Sequence, residues 1–312
     1  MVIAPAHIRE VRMTGRVSFL GLTAAALCAA ILAQAANGAE VSCTLCAEWN
    51  RPQQPFRVYG NTYYVGTHGL ASVLITSDQG HILIDGGLAE SAPQIAAHIR
   101  ALGFKVEDVR WILNSHAHYD HAGGIAELQK LTSASVAASP WSANVLIQGG
   151  PERGDPQYQI VPAIKTVPNV KVLADGESLR SGPLELTAHF TPGHTPGGTT
   201  WTWRSCEGGN CVNVVYADSL TAVSADGFRF TASRDYPNAL ADFEKSFRVL
   251  DTIPCDILLV PHPEFADVLG KLDRREQGVK DAFIDQGSCR NYVANMRRDF
   301  EKRIDRERTT GK

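Results

Sequence analysis

Asn114-Ser115-His116-Ala117-His118-Tyr119-Asp120-His121 packs three imidazoles and one carboxylate into six residues. It follows the apolar run 109–113, which reads as a buried strand, and precedes Ala122-Gly123-Gly124, where a helix over 122–131 opens. One histidine alone would read as a hydrogen-bonded core residue. A cluster of this density at a strand end reads instead as a metal site. In an extended segment alternate side chains share a face, so His116 and His118 can hold one metal, while Asp120 and His121 at the turn can serve a second.

Two further histidines stand at strand ends under similar punctuation: His194 in Thr191-Pro192-Gly193-His194-Thr195-Pro196-Gly197-Gly198, and His262 between Pro261 and Pro263. Proline and glycine fix the backbone there and end a strand where loops carry function. His194 would complete a three-imidazole set with His116 and His118, and His262 would join Asp120 and His121. Two divalent cations held by five neutral imidazoles and one carboxylate remain strongly electrophilic and would bring the pKa of a bound water to about 7. His68, His81 and His98 lack such company and read as structural or solvated, and His189 has a strand-face position of its own.

Outward from the motif, the runs between 56 and 84, split by Ser77-Asp78-Gln79-Gly80, read as antiparallel strands opening the domain. A helix at 91–102 feeds the strand at 109–113, a second helix spans 140–146, and a strand lies at 135–138. The polar segment 149–158 reads as an exposed loop. Strands at 170–173, 184–190, 199–203 and 212–217 precede a helix at 237–250, a strand at 257–260 and a charged helical end from Arg274. Helices alternating with strands, without a linker, imply one α/β domain of two similar halves over 40–312.

Arg9, Arg12 and Arg16 precede an apolar, alanine-rich run from Val17 to Ala35 that ends at small residues. Residues 1–39 therefore read as a cleaved secretory signal peptide rather than a membrane anchor. Cys28 leaves with it, because Leu27 stands where a lipoprotein site needs a small residue. Six cysteines remain in an exported chain, and they imply disulfides. Cys206 with Cys211 across a Gly-Gly-Asn turn, Cys255 with Cys289 across a long loop and Cys43 with Cys46 is one of fifteen pairings, among which sequence alone does not choose. Half of a zinc knuckle is the competing reading of Cys43-Thr44-Leu45-Cys46, but no second pair follows at suitable spacing. With 30 Lys+Arg against 33 Asp+Glu, the chain has no basic excess for nucleic acid or an anionic membrane.

These residues resemble the metallo-β-lactamase superfamily, and more closely its subclass B3. His-x-His-x-Asp-His at 116–121 is the superfamily signature. The segment 193–201, Tyr216-Ala217-Asp218-Ser219-Leu220, Pro261-His262-Pro263 and the pair Cys255 and Cys289 resemble subclass features. The resemblance implies an αββα sandwich and two zinc ions, one at His116, His118 and His194 and the other at Asp120, His121 and His262. It implies a periplasmic, monomeric enzyme that opens small-molecule β-lactams without a covalent enzyme intermediate, Asp120 orienting the attacking water. Ser219 would face the substrate carboxylate or a zinc-bound water, Thr221 would offer a second hydroxyl to that carboxylate, and Gln157 would line the groove. Neither Ser-x-x-Lys nor Gly-x-Ser-x-Gly occurs to support a serine nucleophile. Lactonase and thioesterase relatives carry a metal-bridging aspartate, for which Asp218 is the candidate; a thioesterase fits an exported, disulfide-bonded chain poorly. A zinc protein without catalysis would have a closed, cysteine-rich site, and an iron-dependent relative would often carry a carboxylate at the position of His118.

Overall fold

The computed structural model describes residues 43–310; the expected signal peptide lies outside them. After a helical turn, α1 (Cys46–Trp49), seven strands cross one sheet in sequence order. They are β1 (Phe56–Tyr59), β2 (Thr62–Tyr64), β3 (Val73–Ile75), β4 (His81–Ile84), β5 (Val109–Leu113), β6 (Ser135–Ala138) and β7 (Val170–Val172). Pairing is antiparallel from β1 to β4 and parallel from β4 to β7. Parallel pairing requires a crossover at each step. These carry α2 (Ala92–Ala101), then α3 (Tyr119–Ala122) with α4 (Ile125–Thr132), then α5 (Pro140–Gln148).

The second sheet comprises β8 (Ser178–Ser181), β9 (Leu184–Phe190), β10 (Thr199–Glu207), β11 (Asn210–Tyr216) and β12 (Ile257–Leu259), ordered β12-β11-β10-β9-β8. Its one parallel step, β11 to β12, carries α6 (Ala239–Thr252). The turn Pro263–Ala266, α7 (Val268–Glu276) and α8 (Ser288–Thr310) complete the described chain.

Strand periodicity sorts the core into layers. Val73, Ile75, Ile82 and Ile84 join Leu186, Trp201, Trp203 and Val214 in a cluster between the sheets, while Leu74 and Leu83 point the other way, onto Ile95, Ile99, Ile125 and Leu128 of the helices. Each such fully buried side chain stabilises by about 1.5–3 kcal/mol relative to exposure. On the far side of the second sheet α6 and α8 meet, with Phe243 and Phe300 stacked at 4.3 Å. The result is the expected αββα sandwich.

Several local expectations change. The helix after the histidine motif begins at Tyr119 and is interrupted at Gly123-Gly124, where the chain packs so closely that a Cβ on Gly124 would meet the Gly86 carbonyl oxygen at 2.2 Å. Asp120 and His121 therefore sit on a helical turn. β10 and β11 form a longer hairpin than expected, and β8 is an additional strand. The C-terminal region is two helices rather than one. The loop 149–158 is not simply exposed, since Gly154, Asp155 and Pro156 are buried. Disulfides join Cys43 to Cys46, Cys206 to Cys211 and Cys255 to Cys289, as in the pairing set out above. Among the described residues no helix is long and apolar enough to cross a membrane.

Candidate metal centre

Functional side chains gather beyond the carboxyl ends of β4, β5 and β12, where an α/β sheet leaves backbone free to turn away. Segment 114–118 is pinned from both sheets. The buried Asp85, at the end of β4, accepts from the Ser115 amide at 2.8 Å and its hydroxyl at 2.6 Å, and from the Tyr216 hydroxyl at 2.8 Å. Asn114 Nδ2 donates to the His116 carbonyl at 2.8 Å, and the Trp201 indole donates to the Asn114 carbonyl at 3.1 Å. The extended backbone of His118 then turns into α3.

His116, His118 and His194 form one group of ligating atoms, and Asp120, His121 and His262 form another; within each, the atoms lie within 4.8 Å of one another. The ring centroids of His116 and His121 are 4.5 Å apart, so the groups are neighbours in a single centre. Every residue except the half-buried His262 is buried.

In the first group each ring is held by the nitrogen turned away from the cluster. His116 Nδ1 pairs with Asp218 Oδ1 at 2.7 Å, His118 Nε2 with Asp155 Oδ2 at 2.8 Å, and His194 Nδ1 with the Thr221 carbonyl at 2.9 Å. These pairs differ electrostatically. Burial, with His121, His118 and His194 nearby, holds His116 well below the ordinary imidazole value, and burial pushes Asp218 well above the ordinary carboxylate value. Both shifts favour the neutral forms of these partners. At His118 burial opposes the charge, but Asp155 outweighs it and raises the imidazole; burial likewise opposes charge on Asp155, and His118 lowers it. Both shifts favour the charged forms of that pair. Burial, reinforced by His118, holds His194 down to about 3, which keeps it a neutral ligand.

The second group leans on its own members. Asp120 Oδ2 lies 3.2 Å from His121 Nε2 and 3.3 Å from His262 Nε2. Burial opposes the charge on Asp120, yet the two histidines outweigh it and hold the carboxyl well below its usual range.

The donor set fits a pair of divalent metals. His116 Nε2 and His121 Nδ1 are buried without hydrogen-bond partners, and His121 Nε2 meets only the carboxylate of Asp120, itself a member of the group. Buried polar atoms are rarely left in that state unless an ion completes them. Three ligands in each group leave further coordination positions for water or substrate.

Of the remaining sequence candidates, Gln157 Nε2 lies 3.3 Å from His194 Nε2, and the Thr221 hydroxyl lies 3.0 Å from His194 Nδ1. Ser219 is buried, one residue beyond Asp218. Asp218 stands at the Nδ1 edge of His116, away from the nitrogen left free. Gly198 is required beside it, because a Cβ there would fall 2.3 Å from Asp218 Oδ2. His189 lies apart, paired with Thr202 at 2.9 Å on the second sheet. Sequence reasoning missed Asp155 as the partner of His118. The single acid between Gly154 and Pro156 was its only local signal.

The profile described as the metallo-beta-lactamase superfamily matches residues 66–203. Among solved structures, the chain is 54% identical to the Rm3 metallo-beta-lactamase, with a TM-score of 0.84, covering 86% of this chain and 99% of that one. It is 52% identical to MEM-A1, a subclass B3 metallo-beta-lactamase from a soil metagenome library, with a TM-score of 0.82 and coverage of 84% and 99%. A curated relative, a hydroxyacylglutathione hydrolase of Anaeromyxobacter dehalogenans, is 31% identical over 50% of this chain and 51% of its own length. The chain spans from about a third to about half the length of the first curated relatives it matches.

Proposed function

This chain belongs to the metallo-beta-lactamase superfamily, its structural neighbours at 40–54% identity being subclass B3 enzymes, and from that premise we propose that it hydrolyses the amide bond of β-lactams with two zinc ions. The observation that carries the reading is the pair of adjacent, buried ligand groups with unsatisfied ring nitrogens.

His116, His118 and His194 would hold one zinc, and Asp120, His121 and His262 the other. When bound, such ions polarise a carbonyl, activate water near neutral pH and stabilise the departing nitrogen. The protein's own contribution is placement. Asp218, Asp155 and the Thr221 carbonyl orient three imidazoles before any ion arrives, so little reorganisation accompanies binding. We assign Asp120 the orientation of the attacking water, which its low pKa suits because the carboxylate remains an acceptor. We assign Ser219 and Thr221 to the substrate carboxylate, and Gln157 to the wall beside His194.

We place residues 1–39 as a leader removed on export and 40–312 as the catalytic domain, acting as a monomer in the periplasm. The three disulfides support an oxidising destination. A lactone-directed variant of the chemistry would call for Asp218 between the metals, and its hydrogen bond to His116 Nδ1 speaks against that role.

The test is hydrolysis of a chromogenic cephalosporin by zinc-loaded mature protein, with and without chelator, alongside an acyl homoserine lactone. We expect chelator-sensitive opening of the cephalosporin alone. Turnover of the lactone alone, or of neither compound, would overturn the assignment.

A further inference from the structure

Cys43-Thr44-Leu45-Cys46 plays no part in the chemistry above, yet the structure sets it beside the second ligand group. The disulfide ties Cys43 to Cys46, the first residue of α1, and α1 ends at Trp49. The indole of Trp49 lies against the His262 ring, with centroids 5.1 Å apart and planes tilted by 53°. Tyr119, the neighbour of Asp120, closes the other side: its ring centroid is 6.5 Å from that of Trp49, and its hydroxyl donates to Cys43 Sγ at 3.2 Å. Indole, phenol and disulfide thus form a wall beside His262.

This wall is fastened to the body of the fold. The Trp49 carbonyl accepts from the Thr67 hydroxyl at 2.7 Å and the Gly69 amide at 3.0 Å. Asn50 Oδ1 accepts from the Ser91 hydroxyl at 2.7 Å and from Gln94 Nε2 at 3.1 Å. A Cβ on Gly69 would fall 2.8 Å from Trp49 Cα and Cδ1, so the loop lies directly on the tryptophan. His262 has particular need of such support. Each imidazole of the first group is oriented by a well-formed hydrogen bond on its outer nitrogen, whereas His262 turns to the backbone of Gly69, the residue against which Trp49 lies, without a well-aligned bond at Nδ1. Phe265, the other aromatic against it, lies 6.3 Å away and is exposed.

We propose that Trp49 is a positioning residue for His262, braced by the Cys43–Cys46 disulfide, and that it sets the affinity of the second metal group. The inference rests on the two-zinc reading above. Ring-on-ring packing here supplements the backbone contact at Gly69 in orienting a ligating histidine. Because Trp49 touches His262 and not a member of the first group, its loss should separate the two metals.

The experiment uses the zinc-loaded mature protein and follows zinc retained per chain against rising concentrations of a chromogenic zinc chelator, with kcat and KM measured in parallel. Trp49→Ala should release one of its two equivalents at a chelator concentration roughly tenfold lower, at the low end of the effect of losing an outer partner. The other equivalent should be unchanged. Trp49→Phe, which keeps an aromatic ring, should restore most of the difference. Cys43→Ser with Cys46→Ser removes only the brace, and should shift the same equivalent in the same direction by less. Release curves of Trp49→Ala and the double serine variant that superimpose on wild type would overturn the proposal. So would loss of both equivalents together in the double serine variant, which leaves every packed aromatic in place. Wild-type protein that binds two zinc ions and opens the cephalosporin in the same assay keeps the functional reading separate from this outcome.

Discussion

The two ligand groups sit side by side, yet they are built on opposite plans. In the group of His116, His118 and His194 every ring is tied at its outer edge, by Asp218, Asp155 and the Thr221 carbonyl. In the group of Asp120, His121 and His262 the side-chain contacts run between the members themselves, through the Asp120 carboxylate, and His121 Nδ1 is buried without a partner. The first group is arranged before a metal arrives. The second is pulled together by one carboxylate and depends on its ion to complete it. Two metals of one centre should therefore differ in how tightly and how specifically they are held.

The strongest attempt to break the comparison is His116→Ala, which removes the ring that adjoins both groups. Its kcat/KM for a chromogenic cephalosporin should fall by more than the roughly 10–100-fold that accompanies loss of an outer partner. Turnover within tenfold of wild type would mean that the chemistry is elsewhere. Asp218→Ala tests the asymmetry itself. One zinc equivalent should weaken by about 10–100-fold in a chelator competition while the other holds, and equal weakening of both would remove the distinction.

How much of this was readable in advance depends on how local each signal is. Three histidines and an aspartate within one turn of chain announce themselves, and His194 and His262 stand out through the prolines and glycines around them. The layered fold follows from strand and helix periodicity. Asp155 and Trp49 carry no such mark, because their roles come from contacts with His118 and His262, which lie far away in sequence. An acid in a polar loop reads as solvated until the fold buries it. The need for glycine at 124 was hidden for the same reason: it comes from the backbone at Gly86, in the loop that follows β4.

Acid provides a gentler probe. Burial opposes protonation of His118 and His262, but Asp155 and Asp120 respectively outweigh it and raise both imidazoles, whereas His194 is held at about 3. A raised value means that the proton is taken up at higher pH, so it competes with metal sooner as pH falls. Zinc occupancy measured in buffered chelator should decline between roughly pH 7.5 and 5, around the ordinary histidine range, and should do so through these two rings. Histidine NMR of the metal-free chain would show them titrating while His194 stays neutral; His194 titrating with them would contradict the assignment.

The smallest effect lies outside both groups, as a control. Glu307 on α8 accepts from the Phe230 and Thr231 amides at 3.2 and 3.0 Å and from Arg303 Nε at 2.7 Å. Burial opposes its charge, but these bonds outweigh it and lower its pKa. The folded value lies below the unfolded one, so the stabilisation is present above the usual glutamate range and disappears as pH falls through the lowered value. Glu307→Gln should cost about 1 kcal/mol in denaturant unfolding at neutral pH, with zinc retention unchanged. A shift in metal release would tie α8 to the centre after all.

The provenance of the ligands sets an order of events. Residues 116–121 come from the crossover between the strands at 109–113 and 135–138, while His194 and His262 arrive on the other sheet, which docks through Trp201 and the amide of Thr199. A nascent or unfolded chain offers fragments of each group and the whole of neither. Metal capture is thus a late event, a report that the halves have closed. A chain threaded unfolded through a translocon would draw both ions from the compartment where it folds, and the zinc supply of that compartment would limit how much active protein accumulates.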